Sequence, residues 1–170
     1  MQADNSQYYG TVSRFLHWLM AICFGFMLFT GLSDEETFKS FIAYHKSVGT
    51  ILMGLIIIRL IWAIANRHRR PPAKNIFVTL GHKALYGLMV VVPVVALIRQ
   101  YGAARGPLDV FGMKVMNGSA EKIDWMVSLG NQWHGLLAWV LFTLVAGHIV
   151  MAIIHQIKGE KIINRMAGKM

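Results

Sequence analysis

The stretch most suggestive of chemistry is the apolar segment from Trp133 to His155, WHGLLAWVLFTLVAGHIVMAIIH. It is long enough to cross a lipid bilayer as one helix, and it contains no Asp, Glu, Lys or Arg. His134 and His148 are fourteen residues apart, a separation within about 40° of four whole helical turns. Both imidazoles are therefore expected on one helix face, about 21 Å apart along the axis. Two b-type haems stacked across a membrane require ligands placed in this way.

The composition indicates a small integral membrane protein with a single domain over residues 1–170. Hydrophobic residues make up 55% of the chain and charged residues 15%, whereas soluble domains average about 25% charged. The net charge is +9, but the basic residues flank apolar runs, so membrane topology explains them and no nucleic-acid partner is expected. The single cysteine, Cys23, excludes an intrachain disulfide and a cysteine-ligated cluster. The polar N-terminus predicts no cleavable signal peptide.

Four apolar segments predict an all-α, four-helix transmembrane bundle. The expected spans cover roughly residues 13–32, 42–64, 78–98 and 133–156, and a short surface helix is expected near residues 120–129. Basic residues concentrate in the second connection and in the tail: Arg67, Arg69, Arg70, Lys74, Lys158, Lys161, Arg165 and Lys169. By the positive-inside rule, both termini are predicted to be cytoplasmic.

This topology assigns a depth to each histidine. His45 opens the second span and His134 the fourth, so these two are predicted to pair near the outer surface. The inner site needs His148 with either His17 or His82, and His17 is preferred because it lies about one turn inside its helix. A single four-histidine zinc site is excluded, because about 21 Å separates the two histidines of the last span and a metal–nitrogen bond is about 2 Å.

Arg59 lies fourteen residues after His45, on the same face of the second span but near its inner end. A buried arginine needs an anion, and the predicted partner is a haem propionate. The alternative is that Arg59 extends to the inner membrane surface to reach water.

The motifs SRFLHW, AYHKSVG, LGHKALYGLMVVVPVVAL and QWHG…AGHIVMAIIH resemble those of the bacterial cytochrome b561 family over about residues 13–158. The resemblance implies a dihaem cytochrome of the bacterial inner membrane with axial ligands at His17, His45, His134 and His148. One branch of that family is a superoxide oxidase, which takes electrons from periplasmic superoxide and passes them to ubiquinone. The residue similar to His155 belongs to the quinone site of that branch.

The resemblance leads us to expect a superoxide:ubiquinone oxidoreductase with two haems b. Outward basic residues would attract the superoxide anion: Lys46, Arg99, Arg105, Lys114 and Lys122. Beside His155, the quinone pocket would be completed by His82, Arg14 and Lys83. Superoxide or another periplasmic electron donor, quinone and membrane lipid are the expected partners. Two alternatives remain open: a haem-b subunit of a larger respiratory complex such as a hydrogenase or formate dehydrogenase, and a transporter or anchor whose histidines bind protons or metal.

Overall fold

The four predicted membrane spans are present as four long helices in the computed structural model, which describes residues 1–72 and 75–168. The elements in chain order are α1 (Thr11–Leu32), α2 (Glu35–Ala65), α3 (Ile76–Gly102), β1 (Leu108–Val110), β2 (Met113–Met116), α4 (Asp124–Ile157) and α5 (Ile162–Ala167). The predicted helical transmembrane fold is therefore confirmed. Two of the basic residues used for the orientation, Lys74 and Lys169, lie outside the described residues.

The turn between α1 and α2 is shorter than predicted, because α2 begins at Glu35 rather than at residue 42. Asp34 caps this helix: its carboxylate accepts hydrogen bonds from the backbone N–H groups of Glu36 and Thr37 at 3.1 and 3.0 Å, and from the Thr37 hydroxyl at 2.9 Å. These donors, led by the Thr37 backbone, hold the pKa of Asp34 below its ordinary value. The cap satisfies N–H groups that a helix start leaves unpaired.

The third connection contains an antiparallel β-hairpin that was not predicted. Phe111 and Gly112 form its two-residue turn with φ values of 48° and 86°, as a type I′ turn requires. Leu108 and Val110 are buried, and Ser47 of α2 accepts a hydrogen bond from the Phe111 N–H at 3.3 Å. The hairpin therefore lies on α2, two residues beyond His45. Its turn lacks the Asn-Gly or Asp-Gly pair that would have indicated a hairpin in the sequence.

The prediction of a separate surface helix near residues 120–129 is wrong, because α4 begins at Asp124 and runs unbroken through the fourth span. The Ile123 N–H donates to the Gly102 carbonyl oxygen at 2.9 Å, which joins the start of α4 to the end of α3. The Arg99 side chain of α3 packs directly against Gly130, so this position of α4 has no room for a Cβ. An apparent helix breaker is thus a close-packing position between two helices.

The bundle consists of two helix pairs, α1 with α2 and α3 with α4, and contacts between the pairs are sparser. A buried cluster of Met20, Leu52 and Ile56 holds the first pair together. The outward faces are strongly apolar: Ile22 is 71% exposed and Phe77 is 79% exposed. Such faces suit lipid, in which apolar side chains carry no exposure penalty.

The N-terminal segment and α5 meet at one end of the bundle, which we call the inner end. The Tyr9 N–H donates to the Arg165 carbonyl oxygen at 3.2 Å, and the Trp18 indole donates to the Met166 carbonyl oxygen at 3.0 Å. Both described chain ends therefore lie on one side, as an even number of spans requires. The Arg70 guanidinium lies 5.8 Å from the centroid of the Tyr9 ring, and burial raises the pKa of that phenol.

A buried carboxylate ties the inner end together. Asp4 accepts hydrogen bonds from the Gly10 N–H at 2.6 Å, the Ser13 hydroxyl at 2.8 Å and the Arg70 Nε at 3.2 Å. The Trp62 indole also donates to the Ser13 oxygen at 2.9 Å. The N-terminal segment, α1, α2 and the second connection are thereby joined through one fully paired polar cluster.

Candidate functional site

Two histidine pairs bridge the gap between the helix pairs. His45 of α2 faces His134 of α4 with ring centroids 6.3 Å apart, and His17 of α1 faces His148 of α4 with ring centroids 6.5 Å apart. Two imidazoles on opposite sides of one metal ion are expected at about 6.2 Å, given about 2 Å per metal–nitrogen bond and about 1.1 Å from nitrogen to ring centre. Both pairs therefore have the spacing of two axial ligands.

The third inner histidine is placed differently. His82 of α3 lies 5.4 Å from His148 between ring centroids, which is too close for an axial pair. Its Nδ1 lies 2.7 Å from the Val78 carbonyl oxygen of its own helix, and the residue is exposed. The geometry thus places His17, rather than His82, opposite His148.

The two pairs suit a macrocyclic metal group better than a bare ion. Among the described residues, no three His, Cys, Asp or Glu side chains converge as a metal site, whereas a protein-bound zinc ion takes at least three protein ligands. Haem supplies four ring nitrogens and needs only two axial ligands. Gly135 and Gly147, the neighbours of His134 and His148, are exposed, and a Cβ added at either would meet nothing within 4 Å.

The outer pair is oriented by hydrogen bonds at Nδ1. His45 Nδ1 lies 2.7 Å from the Thr30 hydroxyl oxygen, and His134 Nδ1 lies 3.2 Å from the Val92 carbonyl oxygen. A carbonyl only accepts, so His134 carries its proton on Nδ1 and leaves Nε2 unprotonated, as a metal ligand must be. Val92 directly precedes Pro93, a proline inside α3, and the helix continues beyond it to Gly102.

An unpaired cationic atom lies beside the inner pair. Arg59 Nη1 is fully buried and has no hydrogen-bond partner, while Arg59 Nε donates to the Tyr86 hydroxyl oxygen at 3.3 Å. Arg59 is close enough to His17 and His148 to interact with both electrostatically. A buried charged donor without an acceptor is costly, so this corner of the site suits a carboxylate such as a haem propionate. Sequence reasoning missed Tyr86, which follows His82 by about one turn.

Three of the predicted outer cations lie together. The charges of Arg99 and Arg105 both act on Lys46, and that of Arg99 also acts on His134. No ion pair among the described residues involves any of the three. By contrast, Lys122 forms an exposed ion pair with Asp124 at 2.7 Å. The remaining predicted cation, Lys114, lies on the hairpin in register with Asp109.

Three of the residues predicted to bind quinone, His155, Arg14 and His82, have separate partners near the inner end. His155 Nδ1 lies 2.7 Å from Glu160 Oε2, and the Glu160 N–H donates to the His155 carbonyl oxygen at 3.0 Å. Arg14 Nη2 donates to the Gln2 side-chain oxygen at 3.3 Å. The contact of Glu160 with His155 was not predicted, because it depends on the turn that follows the end of α4.

Comparison with known proteins agrees with this geometry. The family profile described as "Prokaryotic cytochrome b561" matches residues 8–169. The chain is also 26% identical over 173 residues to "Cytochrome b561 homolog 2" of Escherichia coli (strain K12), a match that covers 95% of this chain and 92% of that protein. With four apolar helices and paired histidines, the chain belongs to the prokaryotic cytochrome b561 family of multi-pass inner-membrane proteins that bind haem b and transfer electrons.

Proposed function

We propose that this cytochrome holds two haems b, oxidises superoxide at its outer end and reduces ubiquinone at its inner end. The observation that carries the proposal is the presence of two histidine pairs at axial spacing, one near each end of α4. His45 and His134 would hold the outer group, and His17 and His148 the inner one. Haem b supplies a one-electron iron couple when it is bound.

The balance of the reaction sets what the protein must do at each end. Two superoxide anions each lose one electron and leave as dioxygen. One ubiquinone takes up the two electrons and two protons and becomes ubiquinol. The outer end must therefore attract an anion, and the inner end must supply protons.

The outer requirement is supported by the grouping of Lys46, Arg99 and Arg105. None of them forms an ion pair with a described residue, and Arg99 lies within electrostatic range of His134. An unneutralised cationic patch raises the local concentration of a small anion and its encounter rate. Lys122 already forms an ion pair with Asp124, so its positive charge is partly neutralised and attracts an anion less strongly than that of an unpaired lysine.

The inner requirement is supported by the contact between His155 and Glu160. A carboxylate beside Nδ1 fixes the orientation and the tautomer of an imidazole. His155 can then donate a hydrogen bond or a proton to a quinone oxygen through Nε2. Arg14 and His82 remain candidates for the same pocket.

A second candidate function is an electron-transfer subunit that docks on a partner protein. It is favoured by three exposed apolar side chains on the hairpin: Phe111 is 58% exposed, Met113 68% and Val115 56%. An exposed apolar patch at the outer end is typical of a contact surface.

The test combines haem counting with rapid mixing. Purified protein is quantified for haem per chain, then mixed with superoxide in the presence of ubiquinone. Two haems per chain, reduction by superoxide and ubiquinol formation are expected. The variant with Lys46→Gln, Arg99→Gln and Arg105→Gln should react about tenfold more slowly and with less salt dependence, whereas Lys122→Gln should match the wild type. Two haems without reaction with superoxide would favour the subunit, and a haem-free protein would refute both.

A further inference from the structure

Thr30 is a polar side chain in one of the most deeply buried positions of the protein. It lies in the last turns of α1 and is only 1% exposed. A buried hydroxyl costs free energy unless it is hydrogen-bonded, and inside a membrane protein no bulk water compensates it. Thr30 is therefore expected to have a specific hydrogen-bonding role.

Its two hydrogen bonds have a definite direction. The Thr30 hydroxyl lies 2.9 Å from the Met27 carbonyl oxygen and 2.7 Å from His45 Nδ1. A carbonyl oxygen accepts only, so the single hydroxyl proton is donated to Met27. The hydroxyl oxygen must then accept the proton carried by His45 Nδ1. His45 is thereby held in the tautomer whose Nε2 is unprotonated.

This tautomer is the one that a metal-ligating histidine needs. Second partners at the other ring nitrogen fix the tautomer and orientation of histidine ligands and tune the metal that they bind. Phe38, whose ring centroid lies 5.7 Å from that of His45, packs edge-on against the same imidazole. Within the outer pair, His134 obtains its acceptor from the main chain at Val92, whereas His45 depends on a side chain.

We propose that Thr30 is a positioning residue for the outer haem site: it fixes the tautomer and ring plane of His45, and so sets how tightly and at what potential that site holds haem. The inference rests on the proposed role of His45 as an axial ligand. It does not depend on superoxide or quinone. An acceptor at Nδ1 increases the electron donation of an imidazole to iron, which favours the oxidised state.

The experiment compares Thr30→Val with Thr30→Ser in the purified haem-loaded protein. Valine keeps the shape but removes both hydrogen bonds, and serine keeps the hydroxyl. The readouts are the low-spin EPR signals of the two haems, their midpoint potentials in a redox titration, and the rate of haem loss to an acceptor protein. The inner haem serves as an internal control in each sample.

For Thr30→Val, we expect the EPR signal of the outer haem to change its g values. The midpoint potential of that haem should become more positive, and the haem should be lost roughly tenfold faster. The other haem should keep its wild-type values, and Thr30→Ser should restore all three readouts. Unchanged outer-haem signals in Thr30→Val would overturn the proposal, as would a serine variant that behaves like valine.

A His45→Ala variant separates this inference from the proposed function. If it keeps both haems, the assignment of His45 as a ligand is wrong. If it loses one haem while Thr30→Val has no effect, the ligand assignment stands and only the role of Thr30 fails. If Thr30→Val folds poorly, Thr30→Ala takes its place: outer-haem values that differ from those of Thr30→Ser support the proposal, and equal values overturn it.

Discussion

With one haem held by each histidine pair, as proposed, single histidine replacements should remove one haem at a time, and only within the two pairs. His134→Ala is expected to leave one haem per chain, held by the inner pair, and His148→Ala to leave one held by the outer pair. His82→Ala should leave two, because its 5.4 Å distance from His148 does not suit an axial pair, whereas the 6.5 Å distance of His17 does. His82 is thus the matched control on the same side of the bundle.

The effect on the remaining haem can be worked from the helix. Fourteen residues of α4 separate His134 from His148, which is about 21 Å of rise. One unit charge at that distance acts with about 0.8 kcal/mol at an effective dielectric constant of about 20. For a one-electron couple this corresponds to about 35 mV. Removal of one haem should therefore move the potential of the other by no more than about 35 mV.

The assay is haem per chain from the pyridine haemochrome, combined with a redox titration of the reduced-minus-oxidised spectrum. Circular dichroism checks that each variant keeps its helices. The reasoning would be refuted if His82→Ala lost a haem while His17→Ala kept both. It would also be refuted if a folded His134→Ala chain lost both haems, because sites about 21 Å apart should behave independently.

Three further predictions concern the parts that hold the sites in place. Asp4→Asn breaks a buried ion pair at the inner end and should lower stability by about 3 kcal/mol, measured by unfolding in detergent and by faster proteolysis of the N-terminal segment. Gly130→Ala would force the added Cβ into Arg99 and should cost about 1–3 kcal/mol, whereas Gly31→Ala, which meets nothing within 4 Å, should leave the unfolding midpoint unchanged or slightly higher. Hydrogen bonds hold the pKa of Asp34 below 3.8, so its stabilisation of α2 is complete above that pH and is lost as the pH falls further. The melting temperature of the wild type should therefore fall relative to that of Asp34→Asn in a pH series below 3.8.

The membrane spans were readable from the sequence because a helix that crosses lipid must satisfy its own backbone and present apolar side chains. These are local requirements, which each segment meets by its own composition. The placement of His134 and His148 on one face was equally readable, since it depends only on the helical repeat. The ends of the spans were predicted less accurately. α2 begins seven residues before the predicted position, after the Asp34 cap, and α4 begins nine residues before it, where its start contacts the end of α3.

The sequence favoured His17 over His82 as the inner partner because His17 was expected to lie deeper in its span, but the observed starts of α1 and α3 remove that difference in depth. His17 and His82 have similar depths along their helices, and only the packing of α1 and α3 against α4 separates a 6.5 Å contact from a 5.4 Å one. Such differences depend on helix rotation and on interhelix distance, which no single-helix periodicity encodes.

Hydropathy and residue spacing were enough to predict four spans, one helix with two histidines on one face, and an arginine near the inner end of the second span. The tertiary structure decided which atoms those residues meet: the buried Arg59 Nη1 without an acceptor, the Thr30 hydroxyl on His45, and the Glu160 carboxylate at His155. The physical reason is that hydropathy and periodicity act along one segment, whereas a hydrogen bond needs two atoms from different segments placed within about 3 Å.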